Sequence, residues 1–313
     1  MDRLLAPALA GLMLCFLPSC GASAPTARTA RGKASQRNMP TVEVGGARLV
    51  LDFRGRTVDR RQRARLVRWV ERSAEMVSEY YGRFPVPSLR VELMLNGGAS
   101  VGFGQHFDGR LVRVRVGREV PDATLERDWV MVHEMLHAAF PDVPDRHRWA
   151  KEGLSTYLQG VCRVRAGIFR EEEVWRNWTE AMRWGLPGRR DRGLDRTRSW
   201  GRTYWGGAIF WLSVDVELRR RTGGRHTLQT ALRGVLEAGG NARAEWSMDR
   251  VVREADRATG TRVVSQRYRA MALAPGAPDL DALFGSLGVE RVGRQVRLRD
   301  DAPEAAIRRA LMR

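Results

Sequence analysis

Residues 130–139 set an apolar run, Val130, Met131, Val132, Ala138 and Ala139, around His133-Glu134-Met135-Leu136-His137. A helix with such flanks is buried, yet it must find partners for two imidazoles and a carboxylate. With about 3.6 residues per turn, His133 and His137 project from one face, where they can hold a single Zn²⁺. Glu134 then stands beside them to polarise a metal-bound water. The bland alternative is a core helix whose histidines are satisfied by ordinary hydrogen bonds. A third ligand separates the two readings. Glu152 follows His137 by fifteen residues, at the start of the next predicted helix and beyond a Pro141 to Asp145 turn. Three protein ligands with a fourth position left to water is the catalytic zinc pattern, whereas structural sites close all four.

The rest of the chain supplies a setting for that helix. Thr41 to Phe53 alternates as a strand or hairpin turning at Gly45-Gly46. Leu66, Val70, Ala74, Val77 and Tyr81 then mark an amphipathic helix that stops near Gly82. Leu89–Leu95 and Leu111–Val116 read as strands. The glycine-rich stretch Asn96–Gly104 between them lacks the Lys-Ser/Thr ending of a phosphate loop and reads as a turn beside a site. After Pro121 helices are predicted at Ala123–Phe140 with Asp122 as N-cap, and at Arg148–Arg165, Glu171–Arg183, Tyr204–Arg221 and Thr227–Ala238. Leu186–Trp200 reads as a loop, Val289–Leu298 as a last strand and Pro303–Leu311 as a last helix. With no internal repeat, the fold class is α+β: a small mixed sheet in 41–121, a mainly helical half in 122–313, and the motif helix between them.

Composition excludes some classes. The 313 residues are 43% hydrophobic and 29% charged, too polar for a multi-span membrane protein and too apolar for a disordered chain. The formal charge of +18 attracts phosphate, lipid headgroups or acidic substrates. Lys33 and Lys151 are the only lysines among 54 basic residues, however, and no aromatic-interleaved basic motif accompanies the arginines, so nucleic acid is not an expected partner. Residues 1–19 carry Arg3 and an apolar stretch Leu4–Leu17 too short to span a bilayer, and read as a signal peptide. Leu17-Pro18-Ser19-Cys20 is similar to a bacterial lipobox, which implies lipidation of Cys20, a flexible tether over 20–40, and anchoring in the periplasm or outer membrane. An ordinary signal cleaved after Ala22 or Ala24 would instead release a secreted protein. Either way Cys162 is left without an intramolecular disulfide partner.

His-Glu-Met-Leu-His followed by Trp149-Ala150-Lys151-Glu152-Gly153 resembles the gluzincin zinc metallopeptidases. Tyr204-Trp205-Gly206-Gly207, the apolar run Ala208–Leu218 and Arg221-Thr222-Gly223-Gly224 are similar to the glycyl aminopeptidases and their shorter, peptidase-MA-like relatives. The resemblance runs from about residue 90 to the carboxyl end and implies a zincin-like domain over 41–313, in a short form without the amino-terminal β-domain of those enzymes. It implies His133, His137 and Glu152 as zinc ligands, Glu134 as general base and acid, and Tyr204 as donor to the tetrahedral oxyanion. For Tyr204 the alternative is packing at the foot of a helix. Two departures stand out. Gly97–His106, where relatives carry a glutamate for the substrate's amine, has no acidic residue before Asp108, and Thr156 stands where relatives carry an outer acid. His106, His147 and His226 are expected to be solvated or structural, with His106 edging the cleft; Trp175, Trp178, Trp184, Trp200, Trp205 and Trp211 are expected in the core, with cleft lining as the alternative for Trp205. The reading is a zinc metallopeptidase of the bacterial cell envelope acting on a peptide or protein. Its alternatives are a noncatalytic zinc-containing lipoprotein that binds a partner or cell-wall polymer, and a basic surface-binding lipoprotein with a vestigial motif.

Overall fold

The computed structural model describes residues 39–313; the signal segment, Cys20 and the tether up to residue 38 lie outside the described residues. Strands β1 (Thr41–Val44) and β2 (Ala47–Gly55) form a hairpin. Its turn residues Gly45 and Gly46 both have positive φ, 56° and 77°, the backbone that a tight two-residue turn needs. Helix α1 (Arg60–Tyr81) starts where Asp59 accepts from the Gln62 amide at 2.7 Å and stops at Gly82, φ 80°. Its length lets the chain return to lay β3 (Ser88–Asn96) parallel to β2. The hairpin β4 (Val101–Phe107) and β5 (Leu111–Gly117) then joins with β5 innermost, giving the order β1-β2-β3-β5-β4. Because β3 pairs with β5 in parallel, the sheet is mixed, and β4 is left at its edge. The glycine-rich segment therefore differs from the expected turn: residues 97–100 bend, and from Val101 the chain is strand.

Helices follow the sheet. They are α2 (Asp122–Glu126), α3 (Val130–Leu136), α4 (Arg148–Arg165), α5 (Glu171–Ala181), α6 (Gly207–Thr222), α7 (Leu228–Glu237), α8 (Met248–Thr259), α9 (Val263–Met271) and α10 (Leu280–Ser286), then the hairpin β6 (Val289–Val292) and β7 (Gln295–Leu298), then α11 (Ala305–Leu311). The α+β class is thus observed, and α4 has the predicted bounds. The expected single helix Ala123–Phe140 is instead two. The Asp128 carboxylate accepts from the Met131 amide at 2.9 Å and so starts a new helix, while Pro121, not Asp122, occupies the first N-cap. The expected last strand is a hairpin turning at Gly293, φ 61°.

Helix α6 is buried on every side from Gly207 to Val216, as befits a central helix. It lies so close to α4 that a Cβ on Gly153 would collide with the Gly207 backbone. Trp149 packs on Phe210 at 4.9 Å, and the Trp211 indole donates to the Ala150 carbonyl at 2.9 Å. Just before α4, His147 is buried with Nδ1 2.8 Å from Asp195 Oδ1. The same carboxylate accepts from the Trp149 indole and the Tyr268 hydroxyl, each at 2.8 Å. Burial opposes the charge on Asp195, but these three bonds outweigh it and hold the carboxyl below its ordinary range. The loop over 186–200 is thereby tied to the start of α4 and to α9.

Candidate metal centre

Helix α3 begins just after Trp129, its first turn held by the Met131 amide donating to Asp128, carries His133 and Glu134 on its buried length, and passes His137 into a short 3₁₀ turn, His137–Ala139. Glu152 comes from the second turn of α4. The three residues converge: His133 Nε2 is 3.4 Å and His137 Nε2 3.5 Å from Glu152 Oε2, and one ligand atom from each lies within 4.8 Å of the others. Zinc bonds of about 2.1 Å imply tetrahedral edges of about 3.4 Å, so the donor set and its spacing fit that ion. Burial works against the charge on Glu152, but the adjacent His137 and His133 overcome it and pull its pKa well below the carboxylate range. His137 is correspondingly raised: burial opposes its protonation and Glu152 outweighs that opposition.

Glu134 is buried and pressed against the edge strand. A Cβ on Gly104 of β4 would stand 2.5 Å from Glu134 Cγ. Burial raises the pKa of Glu134, opposed by His137 and His133 and assisted by Glu152. Tyr204 stacks over His133 at 6.4 Å between ring centroids, 26° from parallel. Arg148 lies beside Tyr204 and Glu152, donating from Nε to Glu152 Oε1 at 3.3 Å, with its charge favoured by both. Tyr204 does not open an α-helix as expected. It sits in a π-helical turn, Arg202–Gly206, that precedes α6. Such turns widen the backbone locally and often occur at functional sites. Arg202 anchors this one, pairing with Asp191 at 2.7 Å and donating to the Gly185 carbonyl, all buried.

Other residues join the site without a sequence signal having singled them out for it. Ser155 Oγ lies 3.3 Å from His137 Nδ1, while Thr156 is buried nearby. The i,i+3 spacing of Glu152 and Ser155 places them on one helix face and would have found this contact. The same rule applied at i,i+4 would have found Arg148. His106, on β4, edges the centre as expected: it is half-buried, its ring is 5.8 Å from that of His137, and burial pushes its pKa down to about 3. His147 is structural, as described, and His226 is half-buried between α6 and α7. Lys151 adjoins Glu152 and donates to Asp142 at 2.9 Å. Trp175, Trp178 and Trp211 are core residues, and Trp205 packs partly buried against the core. Trp184 and Trp200 are exposed, contrary to the core expectation, and Trp129 is exposed as well. Two concavities, of about 370 Å³ beside α10 and about 350 Å³ between α7 and α8, contain none of the cluster residues. Convergence of donors, not cavity size, marks this centre.

No protein-family model matches the sequence, and no curated protein matches it. Solved structures do match the fold. The aminopeptidase N family protein from Idiomarina loihiensis superposes with a TM-score of 0.62 at 16% identity, over 80% of this chain and 49% of that one. The M1 zinc metallopeptidase from Deinococcus radiodurans gives 0.51 at 18% identity, over 77% and 52%. A variant of that enzyme bound to a Tyr-Ser-Ala substrate gives 0.50 at 17%, over 77% and 52%. The chain spans about half the length of each. The likeness is one of fold: a mixed sheet followed by helices.

Proposed function

We propose that the chain is a zinc metallopeptidase that hydrolyses peptide bonds at His133, His137 and Glu152, with Glu134 as general base. The observation that carries the reading is the convergence of those three donors beside a buried carboxyl on the same helix. When bound, zinc supplies a Lewis acid and lowers the pKa of a coordinated water. Glu134 takes a proton from the attacking water and returns it to the leaving amine; burial suits it to both tasks by raising its proton affinity. The Tyr204 hydroxyl donates to the oxyanion of the tetrahedral intermediate, and Arg148 steadies the Glu152 carboxylate. The Tyr-Ser-Ala substrate of the Deinococcus radiodurans variant supports a peptide as the substrate class. The stretch Gly97–His106 offers no carboxylate for a free amine, which argues against the specificity of a glycyl aminopeptidase. The proposal extends to a catalytic domain over 41–313, exported by the segment 1–19 and anchored through lipid on Cys20 in the periplasm or outer membrane.

Glu134→Gln tests the chemistry. The variant keeps one zinc per chain and loses peptide hydrolysis by at least about a hundred-fold, the lower range for a general base. A folded wild-type protein that binds zinc and cleaves nothing across a broad peptide library refutes the proposal and favours a noncatalytic binding role.

A further inference from the structure

Of the ten tryptophans, six are buried, with 7% exposure or less, so indoles in this chain go inside by default. Trp129 and Trp200 do not. They are 45% and 48% exposed, and each touches a ring of the centre. Trp129 meets His133 edge-on at 5.6 Å and 89°, and Trp200 packs on Tyr204 at 5.9 Å and 32°. With His133 stacked on Tyr204, the four rings form one row: an exposed indole, a ligand, the phenol, and a second exposed indole. Each indole is held on one side by the site and open to water on the other. A large apolar surface left wet beside a reacting centre gains stability when a ligand covers it.

Charge at the rim does not compete with that contact. Arg148 is paired with Glu152, and Lys151 with Asp142. Both cations beside Glu152 thus already have an acidic partner within the chain. Selection at this face therefore falls to apolar surface.

We infer that Trp129 and Trp200 are specificity-determining residues, forming two apolar subsites at opposite ends of the ring row for bulky aromatic or aliphatic side chains of an extended peptide. The inference rests on the peptidase reading for its substrate and on the ring geometry for its preference. The test uses the full chain and paired peptides that carry Phe or Leu, or Ala, at each position around the cleaved bond. Wild type should favour the bulky member in kcat/KM by about ten-fold or more at two positions, the discrimination a hydrophobic pocket supplies. Trp129→Ala should bring the ratio near one at one of these positions and Trp200→Ala at the other, while Trp129→Phe and Trp200→Phe restore most of it. The ratio is the readout, because disturbance of His133 or Tyr204 lowers both members of a pair alike. Ratios near one in wild type, or unchanged in both alanine variants, overturn the inference. The same pairs are titrated by fluorescence anisotropy against Glu134→Gln protein, alone and combined with each tryptophan variant. Tighter binding of bulky peptides that is lost with the indoles upholds the subsites even if wild type cleaves nothing, which sinks the peptidase reading alone. Absence of any preference in binding overturns the subsites even if cleavage is efficient.

Discussion

Gly104→Ala isolates what the edge strand does for the general base. The added methyl would lie 2.5 Å from Glu134 Cγ, 2.7 Å from Val130 Cγ1 and 2.8 Å from Glu134 Oε1. Ordinary contact begins near 3.4 Å, so Cγ must retreat by about 0.9 Å. Strand β4 cannot easily yield, being laddered to β5 through Gly104 and Val114, and the start of α3 is held by the Met131 amide donating to Asp128. The movable element is the Glu134 side chain, which carries its carboxyl off its place by on the order of 1 Å. A displacement of that size lowers kcat by about 100-fold. Zinc content should stay at one per chain, because no ligand atom is among those the methyl meets. Overpacking of one methyl destabilises by about 1–3 kcal/mol, visible as a lower Tm in a fully folded protein. Zinc analysis, a thermal melt and kcat on a cleaved peptide together make the assay. A folded, zinc-replete Gly104→Ala protein with kcat within about two-fold of wild type would refute the idea that β4 positions Glu134.

Burial raises the Asp128 carboxyl to a pKa of about 6, against the opposing pull of the Met131 and Val130 amides and Arg163. The folded state then keeps a proton that the unfolded chain releases near 3.8, so stability falls as pH rises from about 4 to 6 and is level above. Asparagine can accept from the Met131 amide without ionising, so Asp128→Asn should melt higher than wild type above pH 6, with the gap closing below about pH 4; a gap independent of pH refutes this. Growth with labelled palmitate should mark the wild-type protein in the membrane fraction, and Cys20→Ala should abolish both label and membrane association. Unlabelled wild type would end the lipid-anchor proposal.

What could be read beforehand follows the range of the forces involved. The His133–His137 spacing and the bounds of α4 are local, one a helical period and the other an amphipathic run, and both are visible in consecutive residues. Glu152 needed only the next helix. The break before α3 escaped because Asp128 holds the first turn of α3 only once burial aims its carboxylate at the Met131 amide. Composition does not distinguish the π turn at Arg202–Gly206 from an α-helix; what holds it is the pairing of Arg202 with Asp191 across the loop. His106 reaches His137 because β5 inserts between β3 and β4, an order that no local periodicity encodes. The exposure of Trp129 and Trp200 is likewise a product of tertiary arrangement, where residue type alone favours burial.

Lys151 opens a practical route into this centre. Every other basic side chain between residues 39 and 313, histidine aside, is a guanidinium, which common amine-acylating reagents leave alone. The Lys151 side chain, 28% exposed and one residue from Glu152, is thus a single address for ε-amine chemistry in that span. A fluorophore or cross-linker placed there reports from the edge of the centre with no engineered cysteine, so the arginine-heavy composition becomes a tool for site-selective labelling.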